Sequence, residues 1–134
     1  MIDKEYISTH RQSCWCWDLV TRDSQKTACF TKGYTRYHKG TGSVLLVNGS
    51  TGMVSSIDSE HEYDGDWVEK LLGREDAYAR YFSPTELLRL FGFPASFTWP
   101  SDVSKRKCYE LIGNSINVTV ASRLLRHLLT KTSS

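Results

Sequence analysis

Apolar positions along this chain fall in short runs broken by polar and glycine-rich stretches, and settle into a helical period only towards the end. Cys14-Trp15-Cys16-Trp17 is expected to lie near a strand feeding Leu19 and Val20, with the cysteines as small buried hydrophobes. Thr21 to Lys26 is a polar loop. Ser43 to Asn48, rich in Val and Leu, predicts a buried strand. Asn48-Gly49-Ser50-Thr51-Gly52 is a turn cluster, so Met53 to Ile57 reads as the returning strand of a hairpin. Asp58 to Asp66 has Tyr63 as its one large side chain and reads as an acidic surface loop. Trp67 to Leu72 predicts one or two helical turns, stopped by Gly73.

Signals in the second half are helical. Ser83 is placed as an N-cap, Pro84 as the first helical residue, and Glu86 completes a capping box. Phe82 and Leu87 stand where a hydrophobic staple would, and Gly92 followed by Pro94 supplies the stop. Ser104 to Ile112 predicts another short helix ending at Gly113. Asn114 and Ser115 are expected to open the last helix, whose apolar stripe is Ala121, Leu124, Leu125, Leu128 and Leu129. Arg123, Arg126 and His127 lie mostly off that stripe. The fold class expected is mixed α/β: a small irregular sheet over about residues 18–57, then three short-to-medium helices.

With 134 residues the chain has length for one domain. Mean hydropathy is −0.41, and no apolar run approaches the ~20 residues of a membrane span. The opening Met1-Ile-Asp-Lys-Glu-Tyr has no apolar core, so a secretory signal is not expected. Net charge is only +2, but it is unevenly spread. Residues 1–57 carry seven Lys+Arg against four Asp+Glu, residues 58–76 two against eight, and residues 77–134 eight against three. Two basic segments thus flank an acidic one, and the basic ones suit an anionic partner. Without a secretory signal, Cys14, Cys16, Cys29 and Cys108 are expected as thiols. His10, Cys14, Cys16 and Cys29 lack the paired spacing of a zinc site, so no metal is expected.

The densest chemistry lies in Cys29-Phe30-Thr31-Lys32-Gly33-Tyr34, continuing to Gly40-Thr41-Gly42-Ser43-Val44-Leu45. Phe30 and Tyr34 offer flat faces for stacking, and Lys32, Arg36 and Lys39 offer charge for phosphates. Gly40 and Gly42 permit positive φ or a close backbone approach. Rings interleaved with cations are what single-stranded or looped nucleic acid requires. The same residues also fit an ordinary strand–turn–strand with surface lysines.

This stretch resembles the target-recognition segment of the tRNA cytosine-5 methyltransferases, the RNA-directed branch of the DNA cytosine-5 methyltransferase superfamily, which carries Cys-Phe-Thr here. Arg80-Tyr81-Phe82-Ser83-Pro84-Thr85-Glu86-Leu87 with Gly92-Phe93-Pro94, and Gly113-Asn114-Ser115-Ile116-Asn117-Val118, resemble the superfamily's last two motifs in the same order. The resemblance implies a C-terminal fragment of a class I, doubly wound methyltransferase. Residues 1–79 would be the recognition region, with an acidic loop near 58–66, and residues 80–134 the bracing helix and the last cofactor-contacting helix. It implies tRNA as partner, recognised through Cys29, Phe30, Thr31, Lys32 and Tyr34. It implies S-adenosylmethionine as cofactor, partly held by Asn114, Ser115, Asn117 and Val118. Arg80 would brace the recognition region, and the location would be cytoplasmic or nuclear.

A helix N-terminus at Gly113-Asn114-Ser115 would also suit the carboxylate of an amino-acid-like ligand. Cytosine C5 methylation needs a thiolate nucleophile, a carboxyl group at the ring nitrogen and a Gly-rich cofactor turn. The superfamily carries these as Pro-Cys, Glu-Asn-Val and Phe-x-Gly-x-Gly. None of the three occurs here, so no catalytic residue is assigned and the chain alone is expected to be inactive. Its natural partner would be the N-terminal catalytic portion of the same enzyme. Two alternatives stay open: a nucleic-acid-binding module without catalysis, and one subunit of a split methyltransferase.

Overall fold

The computed structural model describes residues 1–14, 16–48, 75 and 77–131. The hairpin return expected at Met53 to Ile57, the acidic loop near 58–66 and the helical turns at Trp67 to Leu72 lie outside the described residues. Among the described residues the elements are α1 (Lys4–Thr9), α2 (Arg11–Cys14), β1 (Leu19–Val20), β2 (Val44–Asn48), β3 (Ala77–Tyr81), α3 (Pro84–Leu90), α4 (Lys105–Gly113) and α5 (Val118–Lys131). This is the mixed arrangement expected, a small sheet with short helices and a final helix. The chain forms two compact units. One is Met1–Phe30 with Thr35–Phe82, and the other is Thr31–Tyr34 with Ser83–Ser134.

In the first unit β2 is central, parallel to β1 and antiparallel to β3. Leu19 faces Val44 across one pair, and Val44 faces Tyr81 across the other. A parallel pair cannot be joined by a tight hairpin. The long connection between Val20 and Val44 therefore carries the candidate recognition stretch. Ala77 and Ala79 are small and buried, and they share a core with Ile2, Ile7, Trp17, Val44 and Leu46. The Ile2 amide donates to the Ala79 carbonyl at 2.8 Å, fixing the chain's beginning beside β3.

Two helices precede the sheet where the sequence suggested only an approach to a strand. Asp3 caps α1, accepting from the Glu5 amide at 2.9 Å. Cys14 ends α2, ahead of the strand expected at Leu19 and Val20, and Cys16 donates its thiol to the Ser13 carbonyl at 3.0 Å. Among the described side chains of this group, Trp17 is buried in the core at 2% exposure and Cys16 packs against it partly buried. β3 was also missed, because the fully buried positions of its Ala-Tyr-Ala-Arg-Tyr alternation are alanines, with Tyr81 packed against the core only partly buried.

His38 sits among aromatic rings of the first unit. It stacks on Trp17 at 5.3 Å and on Tyr81 at 5.9 Å, with Tyr6 tilted at 4.7 Å. His38 Nδ1 and Tyr81 Oη share a short hydrogen bond. Burial pushes the Tyr81 phenol up to about 12, with Tyr6 adding to the shift. Burial lowers His38, and His10 lowers it further. The phenol therefore keeps its proton, and the imidazole is held towards its uncharged form.

In the second unit the capping box is complete. Ser83 Oγ accepts from the Glu86 amide at 3.2 Å, and Glu86 Oε2 accepts from the Ser83 amide at 2.7 Å. α3 closes as a Schellman turn: the Phe93 amide donates to Leu88 at 2.9 Å and the Gly92 amide to Arg89 at 3.0 Å. Gly92 supplies the left-handed residue this turn needs, with φ +76°. Ser104 caps α4, whose Cys108, Tyr109 and Ile112 are buried. The final helix opens later than expected. Asn114 is the C-cap of α4, and α5 begins at Val118, where Asn117 Oδ1 accepts from the Val120 amide at 3.1 Å.

Two expectations follow. Gly92→Ala should lower unfolding free energy by at least ~1–2 kcal/mol, the cost of a left-handed alanine, because its Cβ would also meet Thr119. Urea unfolding checks this, and an unchanged midpoint would contradict it. The lowered His38 pKa means the unfolded chain takes up a proton before the folded one does as pH falls. Stability from this group is complete above the ordinary value of 6.5 and is lost as pH drops through the lowered one. The stability difference between wild type and His38→Phe should therefore shrink from pH 7.5 to pH 5; a pH-independent difference would count against the account.

Candidate functional site

The residues expected to read RNA divide between the two units. In the first, Cys29 is exposed, while Phe30 is only 5% exposed and meets Phe82 edge-on at 5.5 Å. Upstream, the Ala28 amide donates to Asp18 Oδ2 and to Ser43 Oγ, both at 2.8 Å. Ser43 is fully buried and its hydroxyl donates in turn to Asp18 Oδ2. Asp18 and Ser43, absent from the sequence-based site, thus hold the backbone just ahead of Cys29. Gly40 and Gly42 take the positive φ expected of them, +61° and +146°. Arg80 lies on β3 and donates Nη1–H to the Tyr81 carbonyl at 3.0 Å.

In the second unit Thr31–Tyr34 forms a tight turn. The Tyr34 amide donates to the Thr31 carbonyl at 3.0 Å, and the Gly33 amide to Thr31 Oγ1 at 3.3 Å. Lys32 is exposed at the tip. The Tyr34 ring is 1% exposed and meets Tyr109 of α4 edge-on at 5.6 Å.

The stacking role expected of Phe30 and Tyr34 is therefore corrected. Both rings are spent inside the fold, where they anchor the stretch rather than receive a base. Rings only 5% and 1% exposed have no face open to a nucleobase. What the stretch leaves in water is the Cys29 thiol and the Lys32 ammonium.

The Gly113-Asn114-Ser115 turn needs a second correction. It ends a helix instead of starting one, so it offers no positive dipole end. The Asn114 amide donates to the Glu110 carbonyl at 3.2 Å and the Ser115 amide to Ile112 at 2.9 Å. Ser115 Oγ also donates to Ile112, at 2.7 Å. The two amides offered on sequence grounds to a carboxylate are thus already used. Asn117 and Val118 are tied to the end of α3 as well: Asn117 Nδ2 donates to Leu90 at 3.0 Å and the Val118 amide to Phe91 at 2.8 Å. The Asn114 side chain is exposed and keeps a donor and an acceptor for a ligand.

Gly113 joins these two segments. Its α-carbon lies against the Thr31–Lys32 peptide, within contact reach of three of that peptide's atoms for any added Cβ. Sequence reasoning took this glycine as a helix stop, and no local pattern distinguishes a stop from a close approach. Around the turn, Lys107 pairs with Glu110 at 3.1 Å and holds its carboxyl below the usual range, with Arg106 and Lys32 adding to the effect. Three cations therefore share one carboxylate, and the surface beside Thr31–Tyr34 is net basic.

A family model described as C-5 cytosine-specific DNA methylase matches residues 2–130. A tRNA (cytosine(38)-C(5))-methyltransferase of Schizosaccharomyces pombe is 40% identical over 114 residues, covering 84% of this chain and 31% of that protein. One of the same name from Spodoptera frugiperda is 36% identical over 113 residues, covering 84% and 34%. A Dictyostelium discoideum protein named DNA (cytosine-5)-methyltransferase is 34% identical, covering 84% and 26%. Among solved structures, the S. pombe Dnmt2 methyltransferase superposes with a TM-score of 0.73 at 33% identity, over 100% of this chain and 38% of its own. The chain spans about a third of the length of these tRNA methyltransferase relatives. With a match that runs through nearly every residue, the chain belongs to the C-5 cytosine-specific DNA methylase family.

Proposed function

We propose that this chain is the target-recognition and closing portion of a tRNA cytosine-5 methyltransferase, acting in the cytoplasm or nucleus. The observation that carries the reading is the contact of the Thr31–Tyr34 turn with the backbone at Gly113, one residue before Asn114. Thr31–Tyr34 of the stretch resembling the recognition motif and the stretch resembling the cofactor motif are far apart in sequence and adjacent in one compact unit. Relatives of this chain are named for methylating cytosine 38 of tRNA at C5, and that reaction is the one assigned here.

Within such an enzyme each described residue has a limited task. Lys32 meets a phosphate of the RNA loop, where the basic surface shared with Arg106 and Lys107 raises the local concentration of polyanion. Cys29 and Thr31, on either side of Phe30 in sequence, are assigned to the target nucleotide. Phe30 and Tyr34 fix the turn from within. Asn114 suits the zwitterionic end of S-adenosylmethionine, since its amide can donate to a carboxylate and accept from an ammonium. Ser115, Asn117 and Val118 hold Asn114 in place. Arg80 braces the recognition region, residues 1–79, against the catalytic domain. When bound, the cofactor supplies the methyl group. The nucleophilic thiolate and the carboxyl group at the ring nitrogen come from the other two thirds of the enzyme.

The test is transfer of radiolabelled methyl from S-adenosylmethionine to tRNA. This chain alone, the complementary N-terminal portion of the S. pombe relative alone, and their mixture are compared. Turnover is expected only in the mixture. Turnover by this chain alone would mean that one of its own cysteines is the nucleophile, and a silent mixture would remove the assignment.

A further inference from the structure

Gly113 ends α4 and has no side chain. A Cβ built there would fall under 3.0 Å from the Lys32 amide nitrogen, the Thr31 carbonyl carbon and the Thr31 carbonyl oxygen. All three are backbone atoms, which cannot swing aside as the tip of a side chain does. Gly92 provides a contrast, since the first atom its added Cβ would meet is the Thr119 hydroxyl. A side chain at 113 must therefore move a whole peptide.

That peptide has little freedom to move by itself. The Thr31 carbonyl already accepts from the Tyr34 amide, and Thr31 Oγ1 from the Gly33 amide. Tyr34 is fully buried against Tyr109, four residues before Gly113 on the same helix. The turn is thus pinned to α4 at two points, by a ring at Tyr109 and by backbone at Gly113. On the far side of Gly113 the Asn114 and Ser115 amides are bonded back to α4.

We propose that Gly113 is a positioning residue, which seats the Thr31–Lys32 peptide on the Asn114–Ser115 turn so that the RNA-facing and cofactor-facing segments move as one body. What the two segments bind rests on the function proposed above; the seating itself does not. A ligand that steadies one segment then steadies the other, and each binds more tightly in the presence of its counterpart.

Three readings test this with Gly113→Ala and with wild type. By amide exchange in this chain, the variant should speed the Gly33 and Tyr34 amides about tenfold or more and leave those of Leu87 in α3 and of its C-cap Phe91 unchanged. Unchanged Gly33 and Tyr34 rates would overturn the proposal. In the mixture with the N-terminal portion, KM for tRNA and KM for S-adenosylmethionine should rise together. A fall in kcat with both KM values unchanged, the mark of less folded protein, would overturn it. In case the variant unfolds outright, wild type decides: adding S-adenosylhomocysteine to the mixture should slow the Gly33 and Tyr34 amides, and no change would overturn the proposal. If the wild-type mixture neither turns over nor binds the cofactor, the proposed function fails, and local exchange in this chain alone decides the seating.

Discussion

Burial of Tyr34 is the interaction on which the second unit depends. Its ring is among the largest fully buried side chains and meets Tyr109 edge-on. Burying such a side chain is worth on the order of 1.5–3 kcal/mol, and an aromatic pair adds about 0.5–1.5 kcal/mol. An exposed ion pair contributes at most about 1 kcal/mol. The turn is therefore held by its ring and its backbone, and the charges around it contribute little to holding it. Lys32 can then meet a ligand without the turn losing its support.

The same logic applies to Phe30, whose ring is buried against Phe82. Phe30 and Tyr34 turn inward while Cys29 and Lys32 stay in water. The inward rings and the Asp18–Ser43 hydrogen bonds fix the backbone on either side of the exposed positions. A stretch held this way keeps little freedom to lose, which lowers the entropic cost of any association it makes.

Local signals were legible where they are local in physics. The Ser83 capping box, the Gly92 stop and the Val–Leu run of β2 each depend on near neighbours, and each stands where the sequence put it. Misreadings came from partners distant in sequence. Nothing near Phe30 announces Phe82, and nothing near Gly113 announces Lys32. β3 went unseen because its buried residues are alanines, whose burial depends on Ile2, Ile7 and Trp17 coming to cover them. Asn114 and Ser115 resembled a helix start because Asn and Ser favour caps; here one of them caps the end of the preceding helix. The resemblance to the methyltransferases placed the family correctly, and the chemistry at individual residues still had to come from the geometry.

The final helix bears on what kind of object this chain is. Leu124, Leu125, Leu128 and Leu129 are 59%, 59%, 63% and 70% exposed. Four leucines fully buried would contribute about 6–12 kcal/mol, comparable with the whole stability of a typical domain at ~5–15 kcal/mol. That contribution is largely unrealised in this chain, which matches only about a third of its relatives. If the chain is a portion of a larger methyltransferase, the stripe is a face that the rest of the enzyme covers. Hydrogen exchange of amides 118–130 tests this most directly. The account expects fast exchange in the isolated monomer and slow exchange once the N-terminal portion of a relative is added. Slow exchange in the monomer alone would contradict it and mark the chain as a self-sufficient domain.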